Sequence, residues 1–229
     1  MNEIDAQLLV KTFGDRIKFQ EPLGRYTTFK IGGPADIFFE AKTSEELITC
    51  VQIAYQHAVP VFVLGGGTNI LVGDRGIRGL VIKNSATKIT MRGVTGTTIS
   101  GVSTRKGYVE VESGAHVNRL VRFTLDEGLA GFEMHLGLPG TVGGGIYMNS
   151  KWMHPEGYIG DHVYQAEIIQ ADGTIAVVDK TYFQFGYDSS ILQRSKEIVT
   201  KVTFKLLVDA KERLWGIANT SIAYRRSSQ

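Results

Sequence analysis

Cysteine is nearly missing from this 229-residue chain: Cys50 stands alone, which excludes an intramolecular disulfide and a thiolate metal cluster. Long apolar runs are missing as well. Stretches such as 61–64 (VFVL) and 70–72 (ILV) fall far below the ~20 residues that cross a bilayer. The N-terminal MNEIDAQLLVKTFGDR has acids where a signal peptide needs a basic stretch and then an apolar one, so the expectation is a cytoplasmic protein with no membrane partner. Charge of one sign is also lacking. The 25 basic and 23 acidic residues are interspersed and leave a net charge of +2, which gives no footprint for nucleic acid. His57, His116, His135, His154 and His162 show no ligand spacing, so no metal is expected, and each reads as an ordinary packed or surface residue. Proline is scarce at five, whereas glycine is in excess at 27, where roughly 16 would be usual for this length. The glycines are clustered.

With no repeat and no low-complexity linker, those clusters read as punctuation inside an α+β chain. The first part predicts β-α-β: a strand over 35–41 (ADIFFEA), a helix opened by Thr43 with Glu46 three residues on, and strands over 61–64 and 79–83. Leu47, Val51, Ala54, Tyr55 and Ala58 mark the face of that helix, with Cys50 inside it as a small buried filler. A strand, a helix and a strand on short connections favour a parallel pair. The second part is richer in strands, expected over 98–103, 108–113 and 197–207 and in a hairpin of 163–170 with 174–179. Val117, Leu120, Val121, Thr124 and Leu125 line a helix that Gly128 ends. A last helix is expected from Asp209 as cap to Arg226, with Arg225 and Arg226 as a solvated end or a stub toward further chain. The division expected is 1–84, 85–208 and a terminal helix over 209–229.

Two clusters could carry chemistry. Gly65, Gly66, Gly67, Thr68 and Asn69 follow a strand, and successive glycines let backbone N–H groups converge on an anion such as a pyrophosphate. No helix starts at once and no Gly-Lys-Ser/Thr closes the run, so it is neither a dinucleotide fingerprint nor a Walker loop. The second cluster, GLPGTVGGG over 137–145, holds five glycines in nine residues. Each costs about 0.5–1 kcal/mol of order relative to alanine, which close approach to a ligand would explain. Together they point to a large planar cofactor with a phosphate tail.

Arg25-Tyr26-Thr27-Thr28-Phe29 with Ile31-Gly32-Gly33-Pro34-Ala35-Asp36, the GGGTNILV run with Asp74 and GLVI over 79–82, GLAGFE over 128–133 and GLPGTVGGGIYMN together resemble the UDP-N-acetylenolpyruvoylglucosamine reductase family. The motifs stand in that family's order from Arg25 to about Leu207. The resemblance implies a two-subdomain FAD-binding fold of the p-cresol methylhydroxylase (vanillyl-alcohol-oxidase-like) type. It also implies NADPH-driven reduction of the enolpyruvyl ether of UDP-N-acetylglucosamine to UDP-N-acetylmuramate for peptidoglycan. Gly65, Gly66, Gly67, Thr68, Asn69 and Ile70 would then wrap the FAD pyrophosphate. Gly114, Ala115, Gly137, Gly140, Thr141, Gly143 and Gly144 would lie along the cofactor, and Ile198 would pack near its adenine or flavin.

Three departures fall on the substrate side. Where the family has Tyr-Arg-x-Ser, this chain has Tyr187-Asp188-Ser189-Ser190, so an acid stands where positive charge would oppose a developing enolate. Tyr187 and Ser190 keep their places, while Arg194, six residues beyond Asp188, need not reach the same spot. The loop after Asn149 is altered and longer. The family's third, substrate-binding domain and its general acid are expected to be absent, so the alternatives are a flavin-binding module without turnover, a split enzyme completed by a separate chain, or an FAD oxidase of the wider family.

Overall fold

A computed structural model describes residues 3–99, 102–153 and 156–228. Helix α1 (Glu3–Phe13) and strand β1 (Lys18–Pro22) lead into β2 (Pro34–Ala41), α2 (Ser44–Gln56), β3 (Val61–Leu64) and β4 (Ile77–Asn84). The four strands form one sheet in the order β1-β2-β4-β3, with β4 parallel to both β2 and β3 and β1 antiparallel at the edge. The central strands β2 and β4 are largely apolar on both faces because both faces are covered, whereas β3 at the edge leaves Phe62 exposed. Ile37, Phe39, Leu80 and Ile82 pack under Leu47, Cys50, Val51 and Ala54 of α2, while Phe38 and Val81 face Leu23, Leu64 and Val72.

Helix α2 starts as expected, with the Thr43 hydroxyl accepting from the Glu46 amide at 3.2 Å. The reciprocal half of a capping box is not made, because the Glu46 carboxylate is taken by the Lys42 amide and the Arg16 guanidinium at 2.6 Å. Its end differs from expectation. Ala58 is not on the helix face but follows it at φ 53°, where Val59 N–H bonds to Ala54 O at 2.8 Å and Ala58 N–H to Tyr55 O at 3.1 Å. This is a Schellman closure with alanine in the glycine position, and it turns Val59 into the core.

The chain continues through β5 (Ile89–Ile99), β6 (Val102–Glu112), α3 (Val117–Asp126), β7 (Leu129–Ala130), α4 (Val142–Met148), β8 (Lys151–Met153) and β9 (Glu156–Tyr158). It ends with β10 (Val163–Ile169), β11 (Ile175–Asp179), α5 (Leu192–Ser195), β12 (Ile198–Val208) and α6 (Lys211–Ser228). A second sheet runs β11-β10-β12-β6-β5, antiparallel throughout, with β7 against β12. The separate strands expected over 98–103 and 108–113 are parts of one long ribbon, and its inter-strand residues 100 and 101 lie outside the described residues. Positions 92–97 are exposed, so no apolar alternation marked that half of the ribbon.

Helix α3 buries Val117, Leu120, Val121 and Leu125 against Val109, Val111, Val202 and Phe204 of the second sheet, and Gly128 at φ 67° ends its turn. Asp209 precedes α6, accepting from the Ala210 amide at 2.7 Å and pairing with Arg213. Of the arginine pair at the end of α6, Arg225 is not solvated: its guanidinium lies 4.3 Å from the Trp152 ring centroid and beside Gly137, while Arg226 is exposed. The two sheets meet at α2. Ile169 of β10 packs into the α2 core, and the buried Glu112 carboxylate at the end of β6 accepts from Ser44 N at 3.1 Å, Ser44 Oγ at 3.0 Å and Lys88 N at 2.7 Å. Among the described residues no helix is long and apolar enough to cross a membrane, and no group of side chains could hold a metal ion.

Candidate cofactor site

The first glycine loop leaves the buried end of β3 at Leu64 and is braced from behind. Gly67 sits at φ 65°, and a Cβ there would stand 2.0 Å from the Tyr26 carbonyl, so only glycine fits. Its own carbonyl accepts from Thr28 N–H at 2.9 Å. The Arg25–Phe29 segment therefore has a physical task, which is to hold this loop in shape. Tyr26 is itself fixed by donating to Glu21 at 2.8 Å, and burial with that carboxylate pushes its phenol up to about 12. Asp36 secures the strand below by accepting from Gly79 N at 3.1 Å and pairing with Arg78 at 2.5 Å.

The second glycine loop runs into α4, whose Val142 and Ile146 pack in the core of the second sheet, and it meets the first loop. A Cβ on Gly66 would lie 3.2 Å from Gly140 Cα, one on Gly140 would lie 3.2 Å from Thr68 Oγ1, and one on Gly65 would lie 2.5 Å from Thr141 Oγ1. Gly140 itself has φ 104°. The junction is a backbone wall that side chains would fill, a cradle suited to a flat ligand carrying an anionic tail. Thr141 caps α4 by accepting from Gly144 N at 3.4 Å, and Gly143 N bonds Ser113 O at 2.7 Å. Val142 N bonds Ala115 O at 2.8 Å, which seats 114–115 beside 141–143. Gly114 is enclosed by Asn84 and Ala86, whose carbonyls would both touch an added Cβ.

Of the residues singled out from the sequence, Gly65, Gly66, Gly67, Thr68, Gly140 and Thr141 thus converge, with Gly114, Ala115, Gly143 and Gly144 adjoining. Asn69 is exposed at the loop's far end and Ile70 is half-buried against the Leu23 and Phe38 cluster. Gly137 donates to Asn118 at the start of α3. Ile198 is not brought to the cradle: it pairs with Ile169 and packs against the α2 core. His116 is exposed, its backbone bridged to Thr141. His154 lies outside the described residues.

A family model described as "FAD binding domain" matches residues 35–179. UDP-N-acetylenolpyruvoylglucosamine reductase 1 of Bacillus anthracis is 33% identical, with 100% of this chain and 72% of that protein covered. The chain belongs to the UDP-N-acetylenolpyruvoylglucosamine reductase family. The reductase of Streptococcus thermophilus (strain CNRZ 1066) is 35% identical over 84% of this chain, and the chain spans only 59% of that relative's length. Among solved structures, UDP-N-acetylenolpyruvylglucosamine reductase from Thermus caldophilus superposes with a TM-score of 0.71 at 29% identity, covering 92% of this chain and 68% of that one. p-Cresol methylhydroxylase, at 16% identity and a TM-score of 0.59, shares the fold alone. The fold is therefore the α+β FAD-binding type of p-cresol methylhydroxylase, and the glycine cradle fits the flat, diphosphate-bearing cofactor of such a fold.

The stretch Tyr187–Ser190, which departs from the family pattern in sequence, is braced by a lysine from the neighbouring loop. Asp188, at φ 49°, pairs with Lys151 Nζ at 3.2 Å, and the same ammonium lies 3.0 Å from the centroid of the Tyr187 ring. The acid therefore does not present a bare negative charge. Arg194 sits exposed on α5, and it is Lys151 that stands beside Asp188. Ser190 is buried and donates to Tyr147 O at 2.8 Å, while the Asn149 amide donates to Gly186 O at 2.9 Å, tying this loop to the end of α4. Lys151 was not singled out from the sequence, where it read only as part of an altered loop. Lys83 was also overlooked: it lies in a strand, and its reach to the Gly65 carbonyl is visible only once β3 and β4 are paired.

Proposed function

We propose that this chain holds FAD across the junction of its two glycine loops and works in the NADPH-driven reduction of UDP-N-acetylglucosamine enolpyruvate to UDP-N-acetylmuramate. The observation that carries the reading is the convergence of Gly66, just after β3, with Gly140, just before α4, in a family whose curated members carry the reductase name. On this reading residues 1–84 and 85–208 act as two subdomains facing the cofactor and 209–229 as a helix beyond them. Gly65, Gly66, Gly67, Thr68, Asn69 and Ile70 hold the diphosphate with backbone N–H groups and the Thr68 and Asn69 side chains. Gly114, Ala115, Gly137, Gly140, Thr141, Gly143 and Gly144 give a side-chain-free wall along the rest of the molecule. Bound there, the flavin supplies hydride carriage between NADPH and the enolpyruvyl double bond.

The Tyr187–Ser190 loop, anchored through Ser190 and Asn149, stands on the substrate side, with Lys151 as its positive charge. A UDP-sugar and NADPH are both cytoplasmic pools, so the reading implies a cytoplasmic reaction. The test is NADPH oxidation by the purified chain with and without UDP-N-acetylglucosamine enolpyruvate. Oxidation that requires the UDP-sugar supports the proposal. Oxidation at the same rate without it, accompanied by oxygen consumption, would assign the chain to oxidase chemistry instead.

A further inference from the structure

Lys83 occupies a position that neither the family motifs nor the glycine pattern accounts for. It stands on β4 opposite Leu64 of β3 and Glu40 of β2, and its ammonium reaches past the end of β3 to the carbonyl of Gly65. The Glu40 carboxylate, which accepts from Ser85 Oγ at 2.7 Å, makes no hydrogen bond or salt bridge to Lys83 but acts on the ammonium through space and favours its charged form. Lys83 forms no salt bridge among the described residues. It is half-buried, and burial pulls its amine below the ordinary lysine value. A partly desolvated ammonium that bonds one neutral carbonyl, with the Glu40 carboxylate acting only at a distance, has its lost hydration incompletely replaced, because a carbonyl dipole repays little of it. The place it borders is the cradle. Gly65, whose carbonyl it holds, is the residue whose missing side chain leaves room for Thr141 Oγ1, and Gly66 and Gly140 close the same space.

The geometry points to Lys83 as the cation that meets the diphosphate of the bound dinucleotide, the full charge that backbone amides alone do not supply. This rests on the FAD reading above and adds to it a charged residue outside the glycine motifs. Lysine suits the task as a compact point charge with three donors, of which the Gly65 carbonyl takes one. A charge-assisted bond contributes more than a neutral one, enough to change affinity about tenfold or more.

The experiment compares the full chain with Lys83→Met, which keeps the length without the charge, and Lys83→Arg, which keeps the charge. Three quantities are read: the Kd for FAD, its dependence on salt, and the melting temperature of the flavin-free protein. Lys83→Met is expected to raise the Kd for FAD about tenfold or more and to flatten its salt dependence. The flavin-free melting temperature should hold or rise, because the partly buried ammonium no longer has to be desolvated and this offsets the lost bond to the Gly65 carbonyl. Lys83→Arg should retain affinity within about threefold of the parent. An unchanged Kd in Lys83→Met would overturn the inference. So would a weaker Kd with unaltered salt dependence and a lowered flavin-free melting temperature, or a variant that does not fold, since each assigns the ammonium to loop architecture. Failure of the parent chain itself to bind FAD would instead refute the cofactor reading, and the role of Lys83 with it.

Discussion

Removing the Glu112 carboxylate should loosen the joint between the two sheets, and the structure sets the size of the effect. In Glu112→Ala three donors lose their acceptor: Ser44 N–H, the Ser44 hydroxyl and Lys88 N–H, at 3.1, 3.0 and 2.7 Å. Hydrogen bonds to a charged group contribute roughly 1.5–3 kcal/mol each. Part of that is returned, because a buried carboxylate no longer has to be desolvated and the Ser44 hydroxyl keeps a 3.4 Å contact to Thr200 O. A net loss of about 3 kcal/mol follows, which for a chain of this size lowers the melting temperature by roughly 6–12 °C. Thermal unfolding followed by circular dichroism measures it. Glu112→Gln, which keeps an acceptor oxygen, should lose less, and Ser44→Ala combined with Glu112→Ala should be less than additive. A Glu112→Ala protein melting within about 2 °C of the parent would refute the claim that this carboxylate fastens α2 to β6.

Ala58→Gly should stabilise the chain by about 1 kcal/mol in denaturant titration, because the exposed alanine sits in a left-handed position that glycine takes without penalty. Gly66→Val should abolish FAD retention on desalting, since even its Cβ would lie 3.2 Å from Gly140 Cα. Stability should fall on acidification between pH 6.5 and about 4, read as the urea midpoint against pH. Burial holds the His135 ring neutral down to about 4, so unfolding takes up a proton across that window, and His135→Leu should flatten the slope. Asp188→Arg should restore little UDP-sugar-dependent NADPH oxidation on its own, because Lys151, now paired with Asp188, would face a like charge.

The parts of the fold legible in the sequence were those with strong periodicity or punctuation. The α2 and α3 faces bury apolar residues at helical spacing, while the VFVL strand is a short continuous apolar run and the 163–170 hairpin arm is marked by the turn that follows it. β1 and the 92–97 stretch of β5 were illegible because burial does not select their side chains: the pattern along β1 is mostly exposed, and 92–97 face solvent. In the site, clustered glycines announced a ligand, since side chains were excluded at too many neighbouring places for packing alone. Lys83, Glu112 and Lys151 went unread for a different reason. Each is an ordinary charged residue in its own segment and gains meaning only across a strand pair, a sheet junction or a loop contact. Ile198, expected near the cofactor from the resemblance alone, packs one side against the α2 core.

The central claim, that the two glycine loops form one FAD cradle, is tested most directly by desalting the purified chain, denaturing it and identifying the flavin released. Close to one FAD per chain is expected, either as purified or after incubation with added FAD. A colourless protein that takes up no FAD would contradict it.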